Sequence, residues 1–182
     1  PRALGFGFDD ALNGMSPLGD DFNRQNLLAD LALAQADAAV VASRSQLASF
    51  PAPLQPQLTL LPEGVDLERI KPDRQARLSL PEYGLELEAG QPLVTLISRN
   101  LEPLRGLRQA LRAWPLVHRQ RPEAQLLLVG QQGQGYGVEP PQGESHLKDA
   151  LDGIDAAGIS VLNWLPHRQM LQLLRCSACH LA

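Results

Sequence analysis

Pro92–Trp114, PLVTLISRNLEPLRGLRQALRAW, is the stretch whose reading decides the fold. Leu93, Val94, Thr95, Leu96 and Ile97 make a short apolar run, rich in β-branched residues and without polar alternation. A strand covered on both faces of a parallel sheet has this composition, because neither face meets water. The run gives way to Ser98-Arg99-Asn100, read as a loop, and Pro103 suits the first turn of a helix. Leu104, Leu107, Leu111 and Trp114 then recur at three- and four-residue spacing as one apolar stripe. Arg99 therefore falls at the C-terminal end of a strand and Arg105-Gly106 in the first helical turn. Open α/β sheets bind ligands at that edge.

A cation in the first turn of a helix opposes the macrodipole, so Arg105 is poorly placed for helix stability alone. An anionic ligand held between the guanidiniums of Arg99 and Arg105 and the helix N-terminus would remove the conflict. The alternative is that Arg105, Arg108 and Arg112 form an ordinary solvated helix face.

Working outward toward the C-terminus, Ala124–Val129 (AQLLLV) reads as the next buried strand. Gly130–Ser145 follows as a long loop with five glycines and two prolines. Its glycines do not fit the G-x-G-x-x-G spacing of a dinucleotide fingerprint. His146–Ala157 reads as a helix, Ile159–Trp164 as a strand, Pro166 as the start of a helix, and Cys176–Ala182 as a last strand. Strands and helices alternate, and right-handed crossovers then predict an α/β fold with a Rossmann-like parallel sheet and flanking helices.

Toward the N-terminus, residues 67–91 are rich in Pro, Gly and charge and read as a linker or irregular insertion. Gln57–Leu61 and Asp37–Ala42 read as short strands, with Ser43–Gln46 as a polar turn and Leu47–Phe50 as the start of a short helix. Arg24–Ala36 reads as a helix that buries Leu27, Leu28, Leu31 and Ala34/Gln35. Pro1–Asp21 reads as loop.

Composition narrows the function classes. The chain has 182 residues, 44% hydrophobic, with a net charge of −4. That suits one folded domain with or without a piece of another, and argues against general nucleic-acid binding. The arginines from Arg99 to Arg121 nevertheless cluster with few acids nearby in sequence, as at a local anion site or a membrane-facing patch. Cys176 and Cys179 supply half of a structural zinc set, and both read as buried free thiols in a strand. The four histidines have no metal-site spacing and read as structural. No secretory segment or apolar run of membrane-spanning length is seen. The chain starts at Pro1 and stops inside an apolar run, so it is expected to be an excised piece.

These residues, in this order, resemble a retaining, nucleotide-sugar-dependent glycosyltransferase of the group 1 (family 4) type, which has two facing Rossmann-like domains, the GT-B architecture. Leu61-Pro62-Glu63-Gly64-Val65-Asp66 resembles the family's segment at the crossing between domains. Ser98-Arg99 and Arg105-Gly106 resemble its Gly-Arg…Lys-Gly element, with the two cations six apart. Leu127-Leu128-Val129-Gly130 resembles its strand ending in Val-Gly. Gly158–Pro166 resembles the stretch Val-x-Phe-Leu-Gly-x-Val/Leu-Pro, and Leu171–Leu181 its next helix and strand.

The resemblance implies a division into 1–66, the end of the acceptor-side domain and the crossing strand; 67–91, a linker; and 92–182, a partial donor-binding domain. It implies that Arg99 and Arg105 grip the donor diphosphate, that the main chain around Leu165 borders the base, and that Gly130 lies beside the pocket. Transfer would proceed with retention and without a metal or other cofactor. The partner is a nucleotide-diphospho-sugar donor, with an unspecified sugar, lipid or protein acceptor, in the cytoplasm or at the membrane periphery. No catalytic residue can be named within the chain. The family's Glu-x₇-Glu element would lie beyond Ala182, so this stretch alone should bind donor weakly and not turn over. Asn163 stands where Gly is usual, and Ala178-Cys179 where Ala-Asp is common. Two alternatives remain: a nucleotide-sugar epimerase of the same architecture, and a non-catalytic module using the Arg-rich face.

Overall fold

A computed structural model describes residues 18–132 and 145–181. The chain forms two compact units, Pro1–Asp66 and Leu67–Ala182. The glycine-rich stretch of the expected Gly130–Ser145 loop lies largely outside the described residues.

In the first unit, helix α1 (Leu18–Gln35) precedes strand β1 (Ala39–Val41), helix α2 (Arg44–Ser49) and strand β2 (Leu58–Leu60). Helix α1 begins earlier than its apolar pattern predicts. Leu27, Leu28 and Leu31, expected on its buried side, are 59%, 62% and 52% exposed. Periodicity carries no information about whether anything covers an apolar face, so the expected burial does not hold. β1 and β2 pair in parallel, with Val40 opposite Thr59. The polar turn expected at Ser43–Gln46 is instead the cap and first turn of α2. Ser43 Oγ accepts from the Gln46 amide, and Gln46 Oε1 accepts from the Ser43 amide. This reciprocal capping box satisfies two amide donors that a helix start leaves unpaired.

The second unit opens with a hairpin where a linker was expected. β3 (Arg77–Leu80) and β4 (Leu85–Glu88) pair antiparallel, with Leu78 opposite Leu87. Gly84, at φ 64°, takes the left-handed conformation that closes the turn between them. Leu78, Leu80 and Leu87 are buried. Pro81 and Gly84 occupy the turn, and Arg77, Glu86 and Glu88 the solvent face of this alternating pattern.

Four parallel strands follow: β5 (Leu93–Asn100), β6 (Gln125–Gln131), β7 (Ile159–Leu162) and β8 (Cys179–Leu181). Helices α3 (Leu107–Gln120), α4 (His146–Leu151) and α5 (His167–Cys176) connect them. Spatial order is β7-β6-β5-β8, so the chain steps outward twice and then returns to the far side of its first strand. That is the order of a Rossmann-like sheet, and its reversal lies between β5 and β8.

The period of two along β6 explains how the faces are filled. Leu126 and Leu128 face a core with Leu96, Leu107, Leu111, Trp114 and Leu147, under α3 and α4. Leu127 and Val129 face the opposite core with Leu93, Leu173, Cys176 and the hairpin leucines, under α5. The α/β Rossmann-like reading is therefore correct, and the hairpin helps α5 cover one face.

Several boundaries differ. β5 runs on through Ser98, Arg99 and Asn100 instead of ending at Ile97, with a register shift against β6 between Ile97 and Asn100. α3 starts at Leu107 and continues through Pro115 to Gln120. The helix after Ser145 stops at Leu151, and Gly153 follows at φ 68°. Cys176 belongs to α5, not to a strand, and only Cys179 lies in β8. Cys176 is buried and Cys179 is exposed, which corrects the expectation of two buried thiols.

Candidate functional site

The reversal of strand order puts the candidate site at the C-terminal ends of β5 and its neighbours. Arg99 is the penultimate residue of β5 and is exposed. Asn100 beside it is buried, and its carbonyl accepts from Ser98 Oγ at 2.6 Å. The Leu101 amide then donates to the Gln131 carbonyl at 2.8 Å, which holds the chain leaving β5 against the end of β6.

Gly130 lies in that same seam. A β-carbon there would meet the Ser98 carbonyl at 2.6 Å and Leu101 side-chain atoms at 3.2–3.3 Å. Only glycine lets the ends of β5 and β6 approach this closely. Arg99 and Gly130 thus share the C-terminal edge of one strand pair. Leu165 follows the end of β7 and is buried in the core under α5, together with Val129. Its side chain is a packing residue, so only its main chain is available to border a ligand. Two positions earlier, the Asn163 amide donates to the Tyr83 hydroxyl at 3.3 Å, tying this loop to the hairpin turn. Between them, Trp164 is 62% exposed.

Arg105 does not sit in the first turn of α3. Pro103–Arg105 forms a separate 3-10 turn, closed by Gly106 at φ 72°, which also begins α3. Arg105 is already compensated within the fold: its Nε lies 3.5 Å from Oε1 of Glu102. The Glu102 side chain is only 2% exposed, whereas that of Arg105 is 52% exposed. The acid near the helix start removes the dipole conflict that pointed to a bound anion. Sequence reading passed over Glu102 because a single Glu before Pro has no periodic signature; Glu at i and Arg at i+3 is the signal that could have found it.

The Arg-rich face is also partly internal. Arg108 forms a tight ion pair with Asp149 of α4, and Arg121 pairs with Glu123 at 3.6 Å. Asp149, 41 residues from Arg108 in sequence, is brought to it by folding.

Beneath the switch point, the buried Thr95 hydroxyl lies 3.1 Å from both Ser177 Oγ and His180 Nδ1. Ser177 Oγ donates to the Leu173 carbonyl at 2.8 Å. This set fastens β8 to β5 and the end of α5. His118 stacks on Trp114 with ring centroids 5.7 Å apart.

Among the described residues no cluster of three or more His, Cys, Asp or Glu could hold a metal ion, and no helix is long and apolar enough to cross a membrane.

Comparison with known proteins adds one relative, and no family model matches the chain. The chain is 37% identical over 98 residues to the GDP-mannose-dependent alpha-(1-6)-phosphatidylinositol monomannoside mannosyltransferase of Mycolicibacterium smegmatis (strain ATCC 700084 / mc(2)155). The similarity covers 52% of this chain but only 25% of the relative. The chain thus spans about a quarter of the length of the relative it matches, a glycosyltransferase.

Proposed function

We propose that this chain is part of a glycosyltransferase that takes a sugar from a nucleotide-diphospho-sugar donor, and that its second unit is the donor-binding half of a GT-B enzyme. The observation that carries this reading is the 37% identity to a GDP-mannose-dependent mannosyltransferase, on a chain whose parallel sheet reverses order beside Arg99. A guanosine diphosphate sugar is the first donor to test, because the relative is named for one.

In this mechanism Arg99 and Arg105 face the diphosphate. As the glycosidic bond breaks, negative charge gathers on the departing nucleoside diphosphate. Two fixed guanidiniums stabilise that charge more in the transition state than in the ground state. The rate then depends on them more than substrate affinity does. No metal is required if the two cations carry this charge. The main chain near Leu165 borders the base and Gly130 keeps the pocket edge open. The sugar is transferred with retention to an acceptor bound by the rest of the protein.

Titration calorimetry of the full-length protein with GDP, UDP and ADP tests the reading. One base is expected to bind in preference to the others. The Arg99→Ala/Arg105→Ala variant should lose about 10- to 100-fold in affinity, the effect of removing charge-assisted hydrogen bonds. Silence toward all three diphosphates by the wild-type protein would sink the assignment.

A further inference from the structure

The pair formed by Glu102 and Arg105 has a geometry that bears on ligand binding. A carboxylate that is 2% exposed is stable only beside a cation or in a full set of hydrogen bonds. Arg105 approaches it with Nε, the inner nitrogen of the guanidinium, at 3.5 Å. The same two residues are also tied through the main chain, where the Arg105 amide donates to the Glu102 carbonyl at 3.1 Å. Nη1 and Nη2 form no hydrogen bond or ion pair with other described residues, and the side chain is half-exposed. A guanidinium anchored along its Nε edge keeps its Nη atoms for bidentate contact with an oxyanion.

We propose that Glu102 is a positioning residue for the ligand diphosphate: it pins the Arg105 guanidinium at Nε and so presents the Nη atoms at the C-terminal edge of β5. The inference rests on the reading of Arg105 as a diphosphate ligand. It accounts for an arginine at this position: a guanidinium has an Nε edge for Glu102 and a separate planar Nη fork for a phosphate, whereas the three donors of lysine share one nitrogen and give no fixed bidentate geometry. Positioning and simple electrostatics predict opposite signs. Glu102→Gln removes a negative charge beside the anion site, which by Coulomb attraction alone would tighten binding. Loss of an anchor weakens it instead, because the freed Arg105 must be ordered each time ligand binds.

The test is calorimetric titration of the full-length protein with GDP, comparing wild type, Glu102→Gln, Arg105→Ala, Arg105→Lys and the Glu102→Gln/Arg105→Ala double variant. Glu102→Gln is expected to weaken GDP binding about tenfold, a coupling of the size seen between contacting residues. Once Arg105 is alanine, adding Glu102→Gln should change affinity less than about twofold, a dependence that a general structural role would not show. Unchanged or tighter binding by folded Glu102→Gln overturns the proposal. Should that variant fail to fold, Arg105→Lys decides: affinity as low as that of Arg105→Ala supports positioning, and wild-type affinity overturns it. A failure confined to Glu102 leaves the diphosphate role of Arg105 standing. If Arg105→Ala binds GDP like wild type, that role falls and the positioning proposal with it.

Discussion

The carbonyl oxygen of Ser98 stands 2.6 Å from where a β-carbon on Gly130 would lie. The close approach joins the last turns of β5 and β6 and sets the backbone that carries Arg99. Overpacking a seam of this kind costs about 1–3 kcal/mol, because backbone rather than a flexible side chain must give way. Gly130→Ala is therefore expected to lower the urea midpoint by the equivalent amount, without a change in m-value. Since the strand end moves with Ser98, nucleoside diphosphate affinity should fall too. A variant of wild-type stability would show that the seam relaxes freely.

Trp114 is buried, and its Nε1 donates to the Ala157 carbonyl at 2.8 Å, bridging α3 to the loop before β7. Trp114→Phe keeps the aromatic packing on His118 but removes the donor and part of the ring. The expected loss is about 1–2 kcal/mol in chemical denaturation, within the range for one hydrogen bond plus a small cavity.

Burial pushes the Cys176 thiol above its ordinary value, and the charges of Asp73 and Glu88 push it further in the same direction. Exposed Cys179 should therefore react with a thiol reagent in the native protein, while Cys176 should react only on unfolding. The sign of the pH effect follows. The folded state keeps the Cys176 proton at pH values where the unfolded state has lost it, so stability should fall as pH rises above about 8.5. Cys176→Ala should lose stability at neutral pH from the smaller side chain, and its decline at alkaline pH should be shallower. Parallel alkaline profiles for the two proteins would remove Cys176 as the cause.

Arg175, near the end of α5, reaches back to the start of the second unit. Its Nη2 donates to the Arg69 carbonyl at 2.7 Å and its Nε to the Lys71 carbonyl at 3.2 Å. Arg175→Ala should release this stretch while leaving the sheet intact. Amide exchange across residues 68–71 is expected to accelerate about tenfold, with β5 and β6 unaffected. Uniform acceleration across the unit would instead mark Arg175 as a determinant of global stability.

Much of the fold is legible in the sequence because its signals are local. The β-branched run at Leu93–Ile97, the apolar run before Gly130 and the 3.6-period stripes of α3 and α5 each announce an element within a dozen residues. The hairpin was missed although Leu78, Leu80, Leu85 and Leu87 alternate cleanly, because nearby Pro81, Gly84 and the charged residues dominate a composition window. At the site, Arg99 and Gly130 are legible from their places at strand ends. The burial of Glu102 is not, since a single Glu before Pro carries no periodic signature.

By itself, then, the sequence determined the succession of strands and helices, the two-faced burial of β5 and β6, and the exposure of Arg99 at a strand's end. These follow from side-chain shape and periodicity, which act over a few residues. Only the tertiary structure decided that β8 returns beside β5, that the hairpin completes one core, and that Arg108 meets Asp149. Strand order and the Arg108–Asp149 ion pair depend on contacts between elements packed together in space. Local preference has no means of encoding such contacts, because their free energy appears only when the layers close on each other.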